Sequence, residues 1–121
     1  EVVTAPGRGF VELVESDREA TPEAEECVRR AVEPMLERGA DQIVLGCTHY
    51  PFLLPVLERI VAGRGVSIVD PSPAVARRVA ELLDRYGLRA AADHVPACEF
   101  LTFADEAYRS RLELKAMGSR G

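Results

Sequence analysis

Apolar residues along this chain follow two spacings in turn, and these spacings predict alternating strands and helices. Short apolar runs bounded by turn formers at 41–46 and 66–70 are typical of buried β-strands. Apolar residues at helical spacing predict helices at about 22–38, 51–62, 72–86 and 106–117. Strands that alternate with helices in this way pair in parallel through crossover connections. The sequence therefore predicts an α/β fold with three layers, in which helices flank a parallel sheet.

Two further strands are predicted near the ends of the chain. Glu1–Thr4 is β-prone and stops at a Pro/Gly-rich loop, and Cys98–Phe103 has a similar pattern before the last helix. Pro34 is expected to kink the first long helix or to end its regular part. We expect fraying beyond Gly118. Because the chain starts directly in a predicted strand, we also expect it to be a fragment.

Composition excludes some functions and compartments. At 121 residues, the chain is long enough for one domain or for one lobe of a larger protein. The formal charge is −5 and arginines are interleaved with acidic residues, which argues against nucleic-acid binding. No apolar run approaches the roughly 20 residues that span a bilayer, and no signal peptide is recognisable. Three widely spaced cysteines fit reduced thiols, so we predict a cytoplasmic protein without a membrane partner.

Cys47 is the candidate reactive group because it follows a predicted buried strand and precedes a helix. Ligands of parallel α/β folds bind at the carboxyl ends of strands, where Asp70 is also expected. A helix N-terminus stabilises an anion such as a thiolate or a substrate carboxylate. Thr48 could add a hydroxyl to such a site, and His49 could exchange a proton with the thiol.

Less specific explanations of the same residues remain open. Cys47 could be a small buried residue, and His49 a capping or surface histidine. Cys47 and His49 could form half of a metal site, but His94 and Cys98 lack the paired spacing of a zinc ribbon. A Cys/His hydrolase would need an oriented third residue and an oxyanion hole, which the sequence does not reveal.

The run LGCTHYPFL around Cys47 resembles the second cysteine motif of the glutamate racemases, in the aspartate/glutamate racemase superfamily. Pro6 and the segment from Phe10 to Glu15 resemble the family's upstream motif, and Val69–Ser72 resembles its downstream one. The similarity extends over about residues 3–86. It implies cofactor-independent, metal-free inversion of glutamate by two cysteines on opposite faces of the α-carbon.

By this resemblance, Cys47 is the base that acts on the L-enantiomer. Thr48 would bind substrate, His49 would assist proton transfer, and Glu15 would orient His49. The family's Asp-Ser-Gly turn and Cys-Asn-Thr loop are absent from the chain, so the first cysteine is missing. We expect Cys27 and Cys98 to be packing residues.

The resemblance also predicts the organisation of the whole protein. Residues 1–70 would form the second racemase lobe, and residues 71–121 a segment that returns to the first lobe. The partners would be glutamate, the missing N-terminal half and a second copy in a homodimer, and the isolated chain would be inactive. The alternatives are a superfamily enzyme that acts on aspartate, hydantoin or a maleate-type diacid, and a non-catalytic anion-binding module.

Overall fold

The computed structural model describes residues 1–118, which form an α/β fold. The elements in chain order are α1 (Phe10–Glu15), α2 (Pro22–Glu37), β1 (Gln42–Val44), a 3-10 helix (Tyr50–Leu53), α3 (Leu54–Val61), β2 (Ser67–Val69), α4 (Ser72–Arg85) and α5 (Glu106–Gly118). The predicted fraying beyond Gly118 lies outside the described residues.

The two strands form a parallel pair, as the sequence predicts. Ile43 lies opposite Ile68, and the ladder continues where the backbone N–H of Leu45 donates to the Val69 carbonyl at 3.0 Å. The 3-10 helix and α3 make the connection between β1 and β2. Residues that follow the two strands, including Cys47 and Asp70, therefore leave the sheet at the same edge.

Helix α2 has clear start and stop signals. Thr21 caps its N-terminus, with its hydroxyl oxygen accepting from the Ala24 N–H at 3.2 Å, and Pro22 occupies the first turn. At the other end Gly39 adopts φ +82°, and the N–H groups of Gly39 and Ala40 bond back to the last turn. The helix continues past Pro34 to Glu37, so the proline does not end it.

The core lies between α1, α2, α3 and the inner side of β1. It excludes water from a continuous set of aliphatic side chains, which is the main stabilising contribution in a domain of this size. Its buried members are Phe10, Val14, Val28, Val32, Ile43, Leu45, Leu53, Val56, Leu57, Ile60 and Val61. This core holds α1 against the residues that follow β1.

Two predicted strands are wrong, and one helix was not predicted. Within the described part of the chain, Glu1–Thr4 and Cys98–Phe103 are irregular, because β-prone residues form a strand only where a neighbour completes their hydrogen bonds. Phe10–Glu15 forms α1, whose apolar residues Phe10, Leu13 and Val14 follow helical spacing.

Helix α4 has the predicted apolar stripe, but none of its residues is buried. Val75 and Val79 are 59% and 50% exposed. Contacts divide the chain into one unit of residues 1–86 and a second from residue 87 onward. The predicted boundary after residue 70 remains a prediction. In residues 1–118 no helix is long and apolar enough to cross a membrane.

Candidate functional site

Cys47 lies in a tight turn between β1 and the 3-10 helix. Leu45 anchors the incoming chain in the core, and the Tyr50 N–H donates to the Cys47 carbonyl at 3.1 Å. These two constraints fix the backbone on both sides of the thiol. The Cys47 side chain is half-buried, so it is held in place and still open to a ligand.

Glu15, His49 and Cys47 form a line of three functional groups. The Sγ atom of Cys47 lies 3.9 Å from Nδ1 of His49, near the outer limit for a hydrogen bond to sulfur. On the other side of the ring, Nε2 of His49 lies 3.2 Å from Oε1 of Glu15. The sequence separates Glu15 from His49 by 34 positions, and the packing of α1 brings them together. We call this set the Glu15–His49–Cys47 relay.

The order of groups in the relay assigns the tautomer of His49. A carboxylate can only accept a hydrogen bond, so Nε2 carries the proton that faces Glu15. Nδ1 then presents a lone pair to the Cys47 thiol. If the thiol proton moves to Nδ1, the resulting imidazolium still donates to Glu15, whose negative charge stabilises it. The relay can therefore generate a thiolate at Cys47 and take back a proton afterwards.

Thr48 lies between Cys47 and His49 in the sequence, and its side chain is exposed in the same turn. The 3-10 helix begins at Tyr50 with His49 as its N-cap, so Cys47 and Thr48 lie in the turn before it. Thr48 therefore presents an exposed hydroxyl next to Cys47 in the chain, which suits a substrate carboxylate.

Asp70 and Ser72 start α4 at the same sheet edge. Helix α4 begins at Ser72, and Oδ1 of Asp70 accepts from the Ser72 N–H at 2.9 Å and from its hydroxyl at 2.6 Å. The hydroxyl and backbone N–H of Ser72 hold the pKa of the Asp70 carboxyl below its usual value. Asp70 is thus a structural group of the helix start.

This lowered pKa predicts an acid-dependent loss of order at the start of α4. Because the folded pKa lies below the unfolded one, the stabilisation is present above the unfolded pKa and is lost as pH falls through the folded value. Asp70→Asn should weaken that pH dependence in an acid titration of the α4 amides by NMR. Asp41→Asn, at an exposed carboxyl before β1, is the matched control. An unchanged titration in Asp70→Asn would contradict the assignment.

The other two cysteines are not members of the relay. Cys27 lies on α2, and its thiol donates to the Arg8 carbonyl at 3.2 Å, in keeping with a packing role. Cys98 is exposed, so the packing role expected for it is wrong in the described structure. Within residues 1–118 no group of three or more His, Cys, Asp or Glu side chains is placed to hold a metal ion.

A cavity of about 500 Å³ lies between residues 3–8 and α2. Its lining includes Cys27 but neither Cys47 nor His49. This cavity is therefore separate from the relay.

Comparisons with a family and with individual known proteins agree on the family of this chain. The Asp/Glu/Hydantoin racemase family matches residues 1–79. The glutamate racemase of Pseudomonas syringae pv. tomato is 45% identical over 89 residues, which are 74% of this chain and 32% of that protein. The glutamate racemase of Deinococcus radiodurans is 41% identical over 88% of this chain and 37% of its own length. The chain thus spans about a third of these curated relatives.

Solved structures agree with this relationship. The crystal structure of glutamate racemase from Thermus thermophilus in complex with β-chloro-D-alanine matches with a TM-score of 0.72 and 32% identity, over 86% of this chain and 40% of that one. Glutamate racemase from Francisella tularensis in complex with D-glutamate has the same fold, with a TM-score of 0.84 at 20% identity, over 98% of this chain and 44% of that one. With the family match over 79 of its 121 residues, this chain belongs to the Asp/Glu/Hydantoin racemase family.

Proposed function

We propose that this chain is the second catalytic half of a glutamate racemase, in which Cys47 removes the α-proton of L-glutamate. The observation that carries the proposal is the Glu15–His49–Cys47 relay, since it gives one thiol both a proton acceptor and a charge partner. The relatives that share the surrounding sequence are named glutamate racemases. Their names favour glutamate over aspartate, hydantoin or a maleate-type diacid as the substrate.

The proposed chemistry is a proton abstraction without a cofactor. The thiolate of Cys47 takes the proton from the α-carbon, and the electron pair of that C–H bond remains on the substrate as a carbanion. A thiol on the opposite face then donates a proton to the carbanion, which inverts the centre. His49 then takes the proton from the Cys47 thiol and so restores the thiolate. The carboxylate of Glu15 stabilises the imidazolium that forms.

Substrate placement follows from the same turn. The Thr48 hydroxyl and the N–H groups after Cys47 are proposed to bind a carboxylate of glutamate. They would hold the α-carbon beside the thiol and stabilise the negative charge that develops on proton removal. Neither task needs a metal or an organic cofactor.

A two-base inversion needs a second thiol on the face of the substrate opposite Cys47. Cys27 lies on α2 with its thiol on the Arg8 carbonyl, and Cys98 lies in the unit that starts at residue 87. We propose that the second base and the walls that exclude water come from the region that the longer relatives possess. The exposed stripe of α4 offers apolar surface for that region or for a second copy in a homodimer. In the cell, the D-glutamate would serve peptidoglycan synthesis in the cytoplasm.

Hydrogen exchange at the substrate tests the proposal. The full-length protein should exchange the α-proton of L-glutamate in deuterated water, followed by proton NMR, and should act poorly on L-aspartate. The 121-residue chain should show no racemisation above background, because one base alone cannot invert the centre. A full-length protein that exchanges neither amino acid would contradict the catalytic role and favour an anion-binding module. Turnover by the isolated chain would contradict the requirement for a second half.

A further inference from the structure

Tyr50 links the two backbone segments that carry the relay. It follows His49 directly, and its N–H holds the Cys47 carbonyl. Its ring meets Phe10 edge to face, with centroids 5.1 Å apart and planes at 69°. Phe10 is only 5% exposed and is the first residue of α1, which ends at Glu15. One aromatic contact therefore joins the segment of Glu15 to the turn of Cys47 and His49.

Gly7 closes this contact from the other side. A Cβ atom at position 7 would lie 2.5 Å from the Tyr50 hydroxyl oxygen and 2.7 Å from Cδ2 of Phe10. Gly7 does not have a left-handed φ, so an alanine there meets a steric conflict and no backbone penalty. Phe10 and the core behind it limit how far the ring can move away. We call Gly7, Phe10 and Tyr50 the aromatic clamp.

From this geometry we propose that Tyr50 is a positioning residue, which the aromatic clamp holds so that Glu15, His49 and Cys47 stay in line. The inference rests on the proposed function of Cys47 and deepens it. Phe10 and Glu15 are about 7.5 Å apart along the axis of α1, so a shift of Phe10 is carried to Glu15 by a single short helix. The relay distances, 3.9 Å and 3.2 Å, are near the upper limits of hydrogen bonding. A small increase in either distance would break a hydrogen bond of the relay.

The first test measures the reactivity of Cys47 in the 121-residue chain. The rate of alkylation by iodoacetamide is followed from pH 6 to pH 9, and mass spectrometry of peptides separates Cys47 from Cys27 and Cys98. Tyr50→Ala and Gly7→Ala should slow alkylation of Cys47 near neutral pH and should reproduce the pH profile of Glu15→Gln. Tyr50→Phe keeps the ring and should match the unchanged chain.

Gly39→Ala is the control for a general loss of stability. It adds a Cβ where φ is +82° and no atom lies within 4 Å, so it strains α2 without touching the clamp. Its Cys47 profile should be unchanged. If Gly39→Ala alters the profile as much as Gly7→Ala does, or if Tyr50→Ala leaves the profile unchanged, the positioning role is wrong.

The second test separates the positioning role from the proposed function. In the full-length enzyme, Tyr50→Ala should lower kcat for L-glutamate by about 100-fold with a much smaller change in KM, because misplacement by about 1 Å can have that effect. Tyr50→Phe should restore kcat. An inactive unsubstituted enzyme would contradict the proposed function while the alkylation profiles still decide the role of Tyr50. An active enzyme with an unaffected Tyr50→Ala variant would overturn only the inference.

Discussion

Cys47→Ser in the full-length protein should lower the rate of α-proton loss from L-glutamate by about 10³- to 10⁴-fold. A serine hydroxyl has nearly the same size as the thiol, but it does not ionise near neutral pH and cannot act as the base. The measurement is the decay of the α-proton signal in deuterated water. Binding of glutamate should change far less, since Thr48 and the backbone N–H groups remain.

The other two cysteines provide matched controls for this substitution. Cys27 lies on α2 with its thiol on the Arg8 carbonyl, and Cys98 is exposed. Cys27→Ser and Cys98→Ser should keep exchange within a factor of about two, because neither thiol belongs to the relay. Comparable losses in all three variants would show that the effect at Cys47 reports damage to the fold, and the assignment of the base would fail.

His49→Asn should lower kcat in the direction from L- to D-glutamate by about 10²- to 10³-fold, the usual contribution of a positioned proton-transfer group. Glu15→Gln should have a smaller effect, because it removes the charge that stabilises the imidazolium and leaves the ring in place. The double variant should be no slower than His49→Asn alone, since Glu15 acts through His49. Steady-state kinetics of the two single variants and the double variant measures these changes in kcat.

His94→Asn is the control for the histidine substitution. His94 is the second of two histidines and lies in the unit that starts at residue 87. It should leave kcat unchanged. Independent, multiplying losses in Glu15→Gln and His49→Asn would mean that the two side chains do not form one relay.

Much of the fold was predictable because local signals and tertiary packing agree. The strands at 42–44 and 67–69 follow from short apolar runs, and α2 follows from Thr21, Pro22 and Gly39. The segment of α1 was not predicted as a helix. Its helical spacing covers only six residues, which form a stable helix when the core supports them.

The site was predictable in its members and not in its geometry. The resemblance around LGCTHYP identified Cys47, Thr48 and His49, and the upstream segment identified Glu15. The distances within the relay depend on how α1 packs against the 3-10 helix, a tertiary contact without a local sequence signal. The contact of Tyr50 with Phe10 depends on the same packing. The close approach of Gly7 to both rings likewise has no local sequence signal.

Gly7 and Gly39 each meet a local structural requirement, but the two positions constrain sequence change differently. At Gly39 the requirement is a backbone conformation that asparagine also adopts, so a replacement exists. At Gly7 the requirement is the absence of a Cβ, which every other amino acid has. A substitution at position 7 therefore depends on the size of its two aromatic neighbours. It would have to be accompanied by a smaller side chain at position 10 or 50.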